Sequence, residues 1–141
     1  MLIPNETLWP SDRIFMVQNT SKWDDDSSVM TECVLKMIRA RFEESSSDRG
    51  DAILIIDLGD GEFPPWGQVL QIVKFFITMQ SLLISGLTCT VIHASTEGQK
   101  TWIGRVLSLY KPAKPVHVVE NKAMIKDTVS EYRKQVQAPA V

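Results

Sequence analysis

The chain has little of what metal centres are built from. Its 141 residues include two cysteines and two histidines, and neither pair has the close spacing of a zinc site. We therefore expect no bound metal. The cysteines, Cys33 and Cys89, lie far apart in apolar segments, which favours two buried thiols in a reducing compartment and a cytoplasmic location, with a disulfide bridge between them as the alternative.

Positive charge is also scarce. Fifteen Lys and Arg residues face seventeen Asp and Glu residues, for a net charge of -2. Proteins that bind nucleic acids need basic side chains in excess to neutralise phosphates, so we expect no nucleic-acid partner. The sequence contains no P-loop, no dinucleotide fingerprint and no nucleophile elbow. These absences favour a non-enzymatic protein without a cofactor.

Long uncharged segments are missing as well. Residues 1–9 lack the basic start and apolar run of a secretory signal. The longest apolar segment, residues 69–87, is interrupted by Lys74 and several other polar side chains, so a helix buried on a sheet is expected rather than a membrane span. A chain of this length forms one core. We expect a single domain over residues 1–135 and a flexible tail at 136–141.

The chain does contain a regular alternation of apolar runs and amphipathic stretches. Leu8-Trp9 and residues 14–17 flank a Pro-Ser-Asp turn, which predicts an antiparallel hairpin. Apolar runs at 52–56, 88–93 and 116–119 predict three further strands, and each is followed by a stripe of helical spacing. The order β-β-α-β-α-β-α-β-α predicts an α/β fold with a mainly parallel sheet of four to five strands. The hairpin is expected at one edge and helices on both faces.

One of these helices has more apolar surface than a sheet alone covers. It is predicted to run unbroken from Gln68 to Ile84 and to end at Gly86 as a C-cap. Its polar positions form only a narrow stripe, made of Gln71, Lys74, Thr78, Ser81 and Ser85. The surplus apolar face predicts a second contact, with a protein or a lipid.

Chemistry-bearing side chains are expected where the parallel strands end. Asp57 and His93 each end a strand, and the carboxyl ends of such strands meet at one edge. An acid beside a histidine can act as a general base, with Ser95 as nucleophile. Residues two apart on a strand do not face each other, however, so we favour a strand end followed by a Ser95 or Thr96 helix cap. Asp57, His93 and Ser95 remain a possible ligand-binding edge, and no catalytic residue is assigned.

The loop from Gly59 to Gly67 is the favoured recognition surface. Its glycines permit tight turns, Pro64-Pro65 stiffens it, and a rigid aromatic loop loses little entropy on binding. Phe63 is expected to fold back onto the core, whereas Trp66 fits either an exposed anchor or a lid. The predicted partner-binding residues, on this loop and the helix after it, are Asp60, Glu62, Phe63, Trp66, Gln71 and Lys74.

The run from Ile53 to Phe63, an apolar strand, Asp-Leu and a short turn before a helix, resembles the STAS (anti-sigma-factor-antagonist) domain. The resemblance extends over nearly the whole chain. It implies a regulatory domain that docks a protein partner or associates with itself through this loop and helix. Regulatory STAS proteins carry Asp-Ser-Ser/Thr-Gly before the helix, where a hydroxyl accepts phosphate from a partner kinase. Residues 64–67 are Pro-Pro-Trp-Gly here, so that switch is not expected.

Two other families share parts of the pattern. Residues 56–59, the long apolar helix and residues 91–94 ahead of Trp102 are similar to the CRAL-TRIO (Sec14-like) domain, which implies a small lipid-binding domain as the alternative function. The chain lacks the extra helical regions and the Tyr-Pro of that family. A receiver domain with Asp57 as phosphoacceptor is a third comparison, but no acidic pair follows the strand at 14–17 and one strand is missing.

Overall fold

The fold is α/β, as the alternation predicts. The computed structural model describes residues 2–4, 14–19, 27–45, 52–59, 65–112 and 114–137. In chain order its elements are β1 (Leu2–Pro4), β2 (Ile14–Asn19), α1 (Ser27–Ser45), β3 (Ala52–Asp57), α2 (Trp66–Thr78), α3 (Gln80–Gly86), β4 (Leu87–His93), α4 (Glu97–Leu109), β5 (Val116–Val119) and α5 (Lys122–Gln137). Helix α5 therefore continues two residues beyond the expected domain boundary at 135.

The five strands form one sheet in the order of the sequence, β1-β2-β3-β4-β5. Strands β2 to β5 are parallel, and β1 pairs antiparallel with β2. The expected antiparallel edge is therefore present, but the strand that forms it is Leu2–Pro4. Leu8 and Trp9, the predicted first strand, lie outside the described residues.

The two faces of the sheet are covered differently. Phe15 and Leu54 pack with α1, α2 and α3, and Ile92 on the same face packs with α4. The opposite face, which includes Ile55 and Cys89, is covered by α5. Right-handed crossovers between strands added in one direction keep all crossover helices on one face. Both faces are covered as predicted, but the second is covered by the terminal helix and not by a crossover.

The predicted helix from Gln68 to Ile84 is in fact two helices. Between α2 and α3 the axis bends by 65° at Met79, whose φ of −91° and ψ of 9° are not helical and whose side chain is buried in the core with α1. A straight helix over residues 66–86 would span roughly 30 Å, against about 20 Å for a six-residue strand. The bend returns the chain to the sheet, where β4 begins at Leu87.

Gly86 has a different role from the predicted C-cap. It is the last residue of α3, and β4 follows it directly. A Cβ at this position would lie 3.0 Å from Cδ1 of Phe42 on α1, which is closer than packed carbon atoms approach. The glycine is needed for space between α3 and α1.

The two cysteines differ in their surroundings. Cys89 is fully buried on β4, and burial raises the pKa of its thiol to about 11. Cys33 lies on the exposed side of α1, so its prediction as a buried thiol was wrong. The apolar stripe of α1 passes through its neighbour Val34, which is 1% exposed, and the helical period directs residue 33 away from the sheet.

Candidate functional site

The carboxyl edge of the sheet brings Asp57 and His93 together. They are register partners at the ends of β3 and β4, and their side chains point toward the face that α5 covers. Nδ1 of His93 lies 2.7 Å from Oδ1 of Asp57. The side chains are only 6% and 3% exposed, so this hydrogen bond is shielded from water.

Asp57 has two further partners. The backbone N–H of Gly59 donates to its Oδ1 at 2.9 Å, and Nζ of Lys122, at the start of α5, lies 3.7 Å from its Oδ2. Burial acts to raise the pKa of Asp57, but the hydrogen bonds from His93 and Gly59 and the charges of His93 and Lys122 outweigh it and lower the pKa. The carboxylate is thus held in its ionised form.

The same edge anchors the start of the loop between β3 and α2. Gly59 has a φ of +57°, in the left-handed region that glycine adopts without strain. Its carbonyl accepts hydrogen bonds from Oγ of Ser95 (2.9 Å) and Nε2 of Gln99 (3.0 Å). The hydroxyl of Ser95 is therefore directed to the loop and not to His93. We call Asp57, Gly59, His93, Ser95 and Gln99 the carboxyl-edge network.

The cap of α4 belongs to this network. Thr96 is the N-cap, and its side chain accepts from the backbone N–H of Gln99, whose side chain bonds back to the cap in a capping box. The expectation of a Ser95 or Thr96 cap is confirmed for Thr96. Gln99, which sequence reasoning missed, is 3% exposed and joins α4 to the loop. The Thr-x-x-Gln spacing of residues 96–99 is the sequence signal that would have identified it.

A cavity of about 150 Å³ lies on the other face of the sheet, between α2 and α4. The cavity is partly open to solvent, as ligand-binding clefts are. Its lining surface is almost wholly apolar and includes the aliphatic side chains of Ile56, Val69, Val73, Ile92, Ile103 and Val106. In another protein, an apolar cavity of about this volume stays dry and binds benzene-sized molecules. The arrangement is therefore suited to a small apolar ligand.

Two aromatic pairs join α2 to α4. The ring centroids of Trp66, at the start of α2, and Trp102, in the middle of α4, are 5.5 Å apart, and those of Phe76 and Tyr110, which both line the cavity, are 6.3 Å apart. Trp66 is nevertheless 41% exposed. The sequence left two roles open for Trp66, an exposed anchor and a lid. The structure has features of both, because one side of the ring packs on Trp102 and the other side faces solvent.

Three polar side chains also line the cavity: Thr90 of β4, Tyr110 at the end of α4, and Lys114 of the connector to β5. Within the described part of the chain, their side-chain polar atoms have no hydrogen-bond or ion-pair partner. Burial raises the pKa of Tyr110. For Lys114 the sequence favours a solvated connector, and the small basic patch that it forms with Lys111 and Arg105 leaves weak assistance to an acidic partner or an anionic head group as the alternative. The sequence gives no signal that this residue lines a cavity, because that depends on how the connector crosses the end of α4.

The structure describes three of the six predicted partner-binding residues. Asp60, Glu62 and Phe63 lie outside the described residues. Trp66 and Lys74 are exposed on α2, and Gln71 is half-buried. Leu70 and Ile77, which lie on the same side of α2 as Trp66, are 45% and 52% exposed. We call Trp66, Leu70 and Ile77 the α2 stripe; it is the surplus apolar surface expected from the sequence.

Comparison with protein-family models, with curated proteins and with solved structures finds no match to this chain. Among the residues described, no three His, Cys, Asp or Glu side chains are grouped so as to hold a metal ion. No single helix in that part of the chain is long and apolar enough to cross a membrane. Helices α2 and α3 reach that length and composition only as a pair, separated by the 65° bend.

Proposed function

We propose that this chain is a non-enzymatic binding domain that takes a small apolar molecule into the cavity between α2 and α4. The observation that carries the proposal is the cavity itself, with its almost wholly apolar lining and with the Phe76–Tyr110 ring pair in its wall. Ligand pockets are typically apolar clefts with a few polar groups that fix orientation. Of the functions that the sequence leaves open, the cavity favours the lipid-binding alternative.

The fold is compatible with both the STAS and the Sec14-like resemblance. The element order, with its antiparallel first pair and a helix after each later strand, supports a STAS-like domain. The segment Pro65-Trp66-Gly67 at the start of α2 offers no hydroxyl, which argues against a phosphorylation switch at that turn. A STAS-like or Sec14-like scaffold that binds a ligand is therefore our proposal for the family.

The carboxyl-edge network supports a structural role for Asp57 and His93. A catalytic base must reach a substrate proton, whereas these side chains are buried against each other. Ser95, the candidate nucleophile, donates to the Gly59 carbonyl. These contacts hold Gly59, directly after β3, beside the sheet, and they favour a binding domain over an enzyme.

The proposal is tested by filling the cavity. Each buried methylene contributes about 0.8 kcal/mol, so 1-octanol with about six buried carbons should bind with a Kd on the order of 0.1 to 1 mM. Val106 lines the cavity and is half-buried, so in Val106→Phe the added ring occupies the ligand volume. Isothermal titration with 1-octanol should give no detectable binding to this variant, and its Tm should be equal to or above that of the parent.

Leu109→Phe is the matched control, because Leu109 is on the same helix, is 58% exposed and does not line the cavity. It should bind 1-octanol like the parent. Equal binding to all three proteins would mean that the alcohol sits elsewhere, and an absence of binding to the parent would contradict the proposal directly.

The second candidate function is docking of a protein partner through the loop after β3 and through α2, as the STAS resemblance implies. The exposed α2 stripe favours it, because exposed contiguous apolar surface marks interaction sites. Lys74 borders the stripe and is exposed. The partner surface that fits is apolar with an acidic side chain opposite Lys74.

For this function, the double variant Trp66→Ala/Lys74→Glu should weaken association at least tenfold, because it removes an aromatic anchor and reverses a charge. The control is Lys126→Glu, an exposed charge reversal on α5 at the other face of the sheet. Light scattering for self-association, and quantified pull-down with all three proteins, give the readout. Association that is unchanged in the double variant would remove the support for docking at α2.

A further inference from the structure

The polar lining of the cavity is concentrated at one end. Thr90 pairs with Val116 in the sheet, and the backbone N–H of Thr90 donates to the carbonyl of Pro115 at 3.0 Å. Lys114 is the next residue back along the connector. Tyr110 ends α4 at the other side of that connector. We call Thr90, Tyr110 and Lys114 the polar end of the cavity.

The polar end supplies donors and a positive charge but no negative charge. Lys114 brings an ammonium group, and Thr90 and Tyr110 bring hydroxyls. No acidic side chain of the described chain lines the cavity, so Lys114 is not neutralised there. All three residues are half-buried, so water still reaches their polar atoms, and the cavity surface itself is almost wholly apolar. A ligand that carries an acceptor at this end can take the place of that water.

The degree of exposure sets what kind of head group is suitable. Tyr110, Pro112, Lys114 and Val116 are all half-buried, whereas Val69 and Ile103, elsewhere in the lining, are buried. A charged head at the polar end therefore keeps part of its hydration and avoids the cost of full burial. The inner walls offer only apolar contact, which suits a hydrocarbon chain.

From this arrangement we infer that the ligand of the cavity is an anionic amphiphile, a medium-chain carboxylate, with its chain between α2 and α4 and its carboxylate against Lys114. The inference rests on the proposed function and names the ligand class for it. One ammonium and two hydroxyls match a single negative charge and its acceptor oxygens. A cationic head would meet Lys114 with like charge.

The test compares octanoate with 1-octanol, which have the same chain and differ in the charge of the head. Isothermal titrations are made with the parent chain, with Lys114→Met and with Lys111→Met. Methionine keeps an unbranched apolar side chain and removes the charge. Lys111 is on the same connector but is exposed and does not line the cavity, so it controls for a general change in net charge.

We expect Lys114→Met to weaken octanoate binding about tenfold or more, since a charge-assisted contact is lost, and to change 1-octanol binding less than twofold. Lys111→Met should change both less than twofold. If Lys114→Met leaves octanoate affinity unchanged while 1-octanol still binds, the inference is overturned and the proposed function stands. If neither compound binds the parent chain, the proposed function fails and the inference fails with it.

Discussion

Replacing Asp57 with alanine is expected to lower the free energy of unfolding by roughly 3 kcal/mol. The substitution leaves Nδ1 of the 5%-exposed His93 and the N–H of Gly59 without their acceptor. Burial keeps water from replacing the lost partner at His93, which is why the cost exceeds that of a surface hydrogen bond. Urea unfolding followed by circular dichroism measures the change.

A double-mutant cycle separates the free energy of the Asp57–His93 contact from the other effects of each substitution on stability. The variants are Asp57→Ala, His93→Ala and the double substitution, and the expected coupling free energy is about 1.5 to 3 kcal/mol. Asp127→Ala, an exposed carboxylate on α5, is the control and should change stability by less than about 0.5 kcal/mol. Additive costs for the two single substitutions would contradict a stabilising pair.

Asp57 also makes the stability of the folded chain depend on pH, and the direction of that dependence can be stated. The pKa of Asp57 is lower in the folded chain than the ordinary value of 3.8, so the unfolded chain binds a proton more readily. The contribution of Asp57 is complete above the ordinary pKa and is lost as the pH falls through the folded pKa. The stability difference between the parent and Asp57→Ala should therefore shrink below about pH 4.

Replacing Ile125 with alanine should make the thiol of Cys89 accessible to labelling. Ile125 is 3% exposed and packs with Cys89 on the face that α5 covers. Deleting a buried isoleucine side chain to alanine costs about 2 to 5 kcal/mol. When labelling occurs through fast opening, a loss of about 3 kcal/mol raises its rate roughly 100-fold. The experiment uses a Cys33→Ser background, because Cys33 is exposed.

Met124→Ala is the matched control for this prediction. Met124 is the neighbouring residue on α5 and is 41% exposed, so its truncation should leave the labelling rate within about threefold of the parent. Rapid labelling of Cys89 in the unsubstituted background would mean that α5 does not cover this face in solution. Equal rates in the two variants would contradict the packing of Ile125.

The main features of the fold could be predicted because they depend on local pattern. The apolar run before Asp57 is continuous, which is typical of a strand covered on both sides, and β3 has both faces covered. The stripe of Ile125, Val129 and Tyr132 fixes α5 by its spacing. Each of these signals lies within a few residues along the chain, so no tertiary information was needed.

The break at Met79 could not be predicted for the opposite reason. No proline or glycine marks it, and the apolar pattern continues through it without a change of period. The bend follows from the length of the sheet and from the burial of Met79 against α1, and both are properties of the assembled domain. The cavity could not be predicted for the same reason, because lining residues such as Lys114 and Val69 are distant in sequence and come to line one space only after α4 and β5 have packed.

The candidate site could be predicted in part. The rule that sites lie at the carboxyl ends of parallel strands is general, and the sequence alone is enough to apply it to Asp57 and His93. The rule does not indicate the cavity, which lies beside the middle of the strands and between helices. The one sequence signal for the cavity was the over-wide apolar face of α2, which indicated a further contact without saying whether the ligand was a protein or a small molecule.

The central claim is that the space between α2 and α4 holds a small apolar ligand, and isotope-filtered NOE spectroscopy of the methyl-labelled chain with 1-octanol tests it most directly. The account predicts NOEs from the octanol chain to the methyl groups of Val73, Ile103 and Val106, which line the cavity. NOEs confined to the exposed methyl groups of Leu70 and Ile77, with none to the cavity walls, would contradict it.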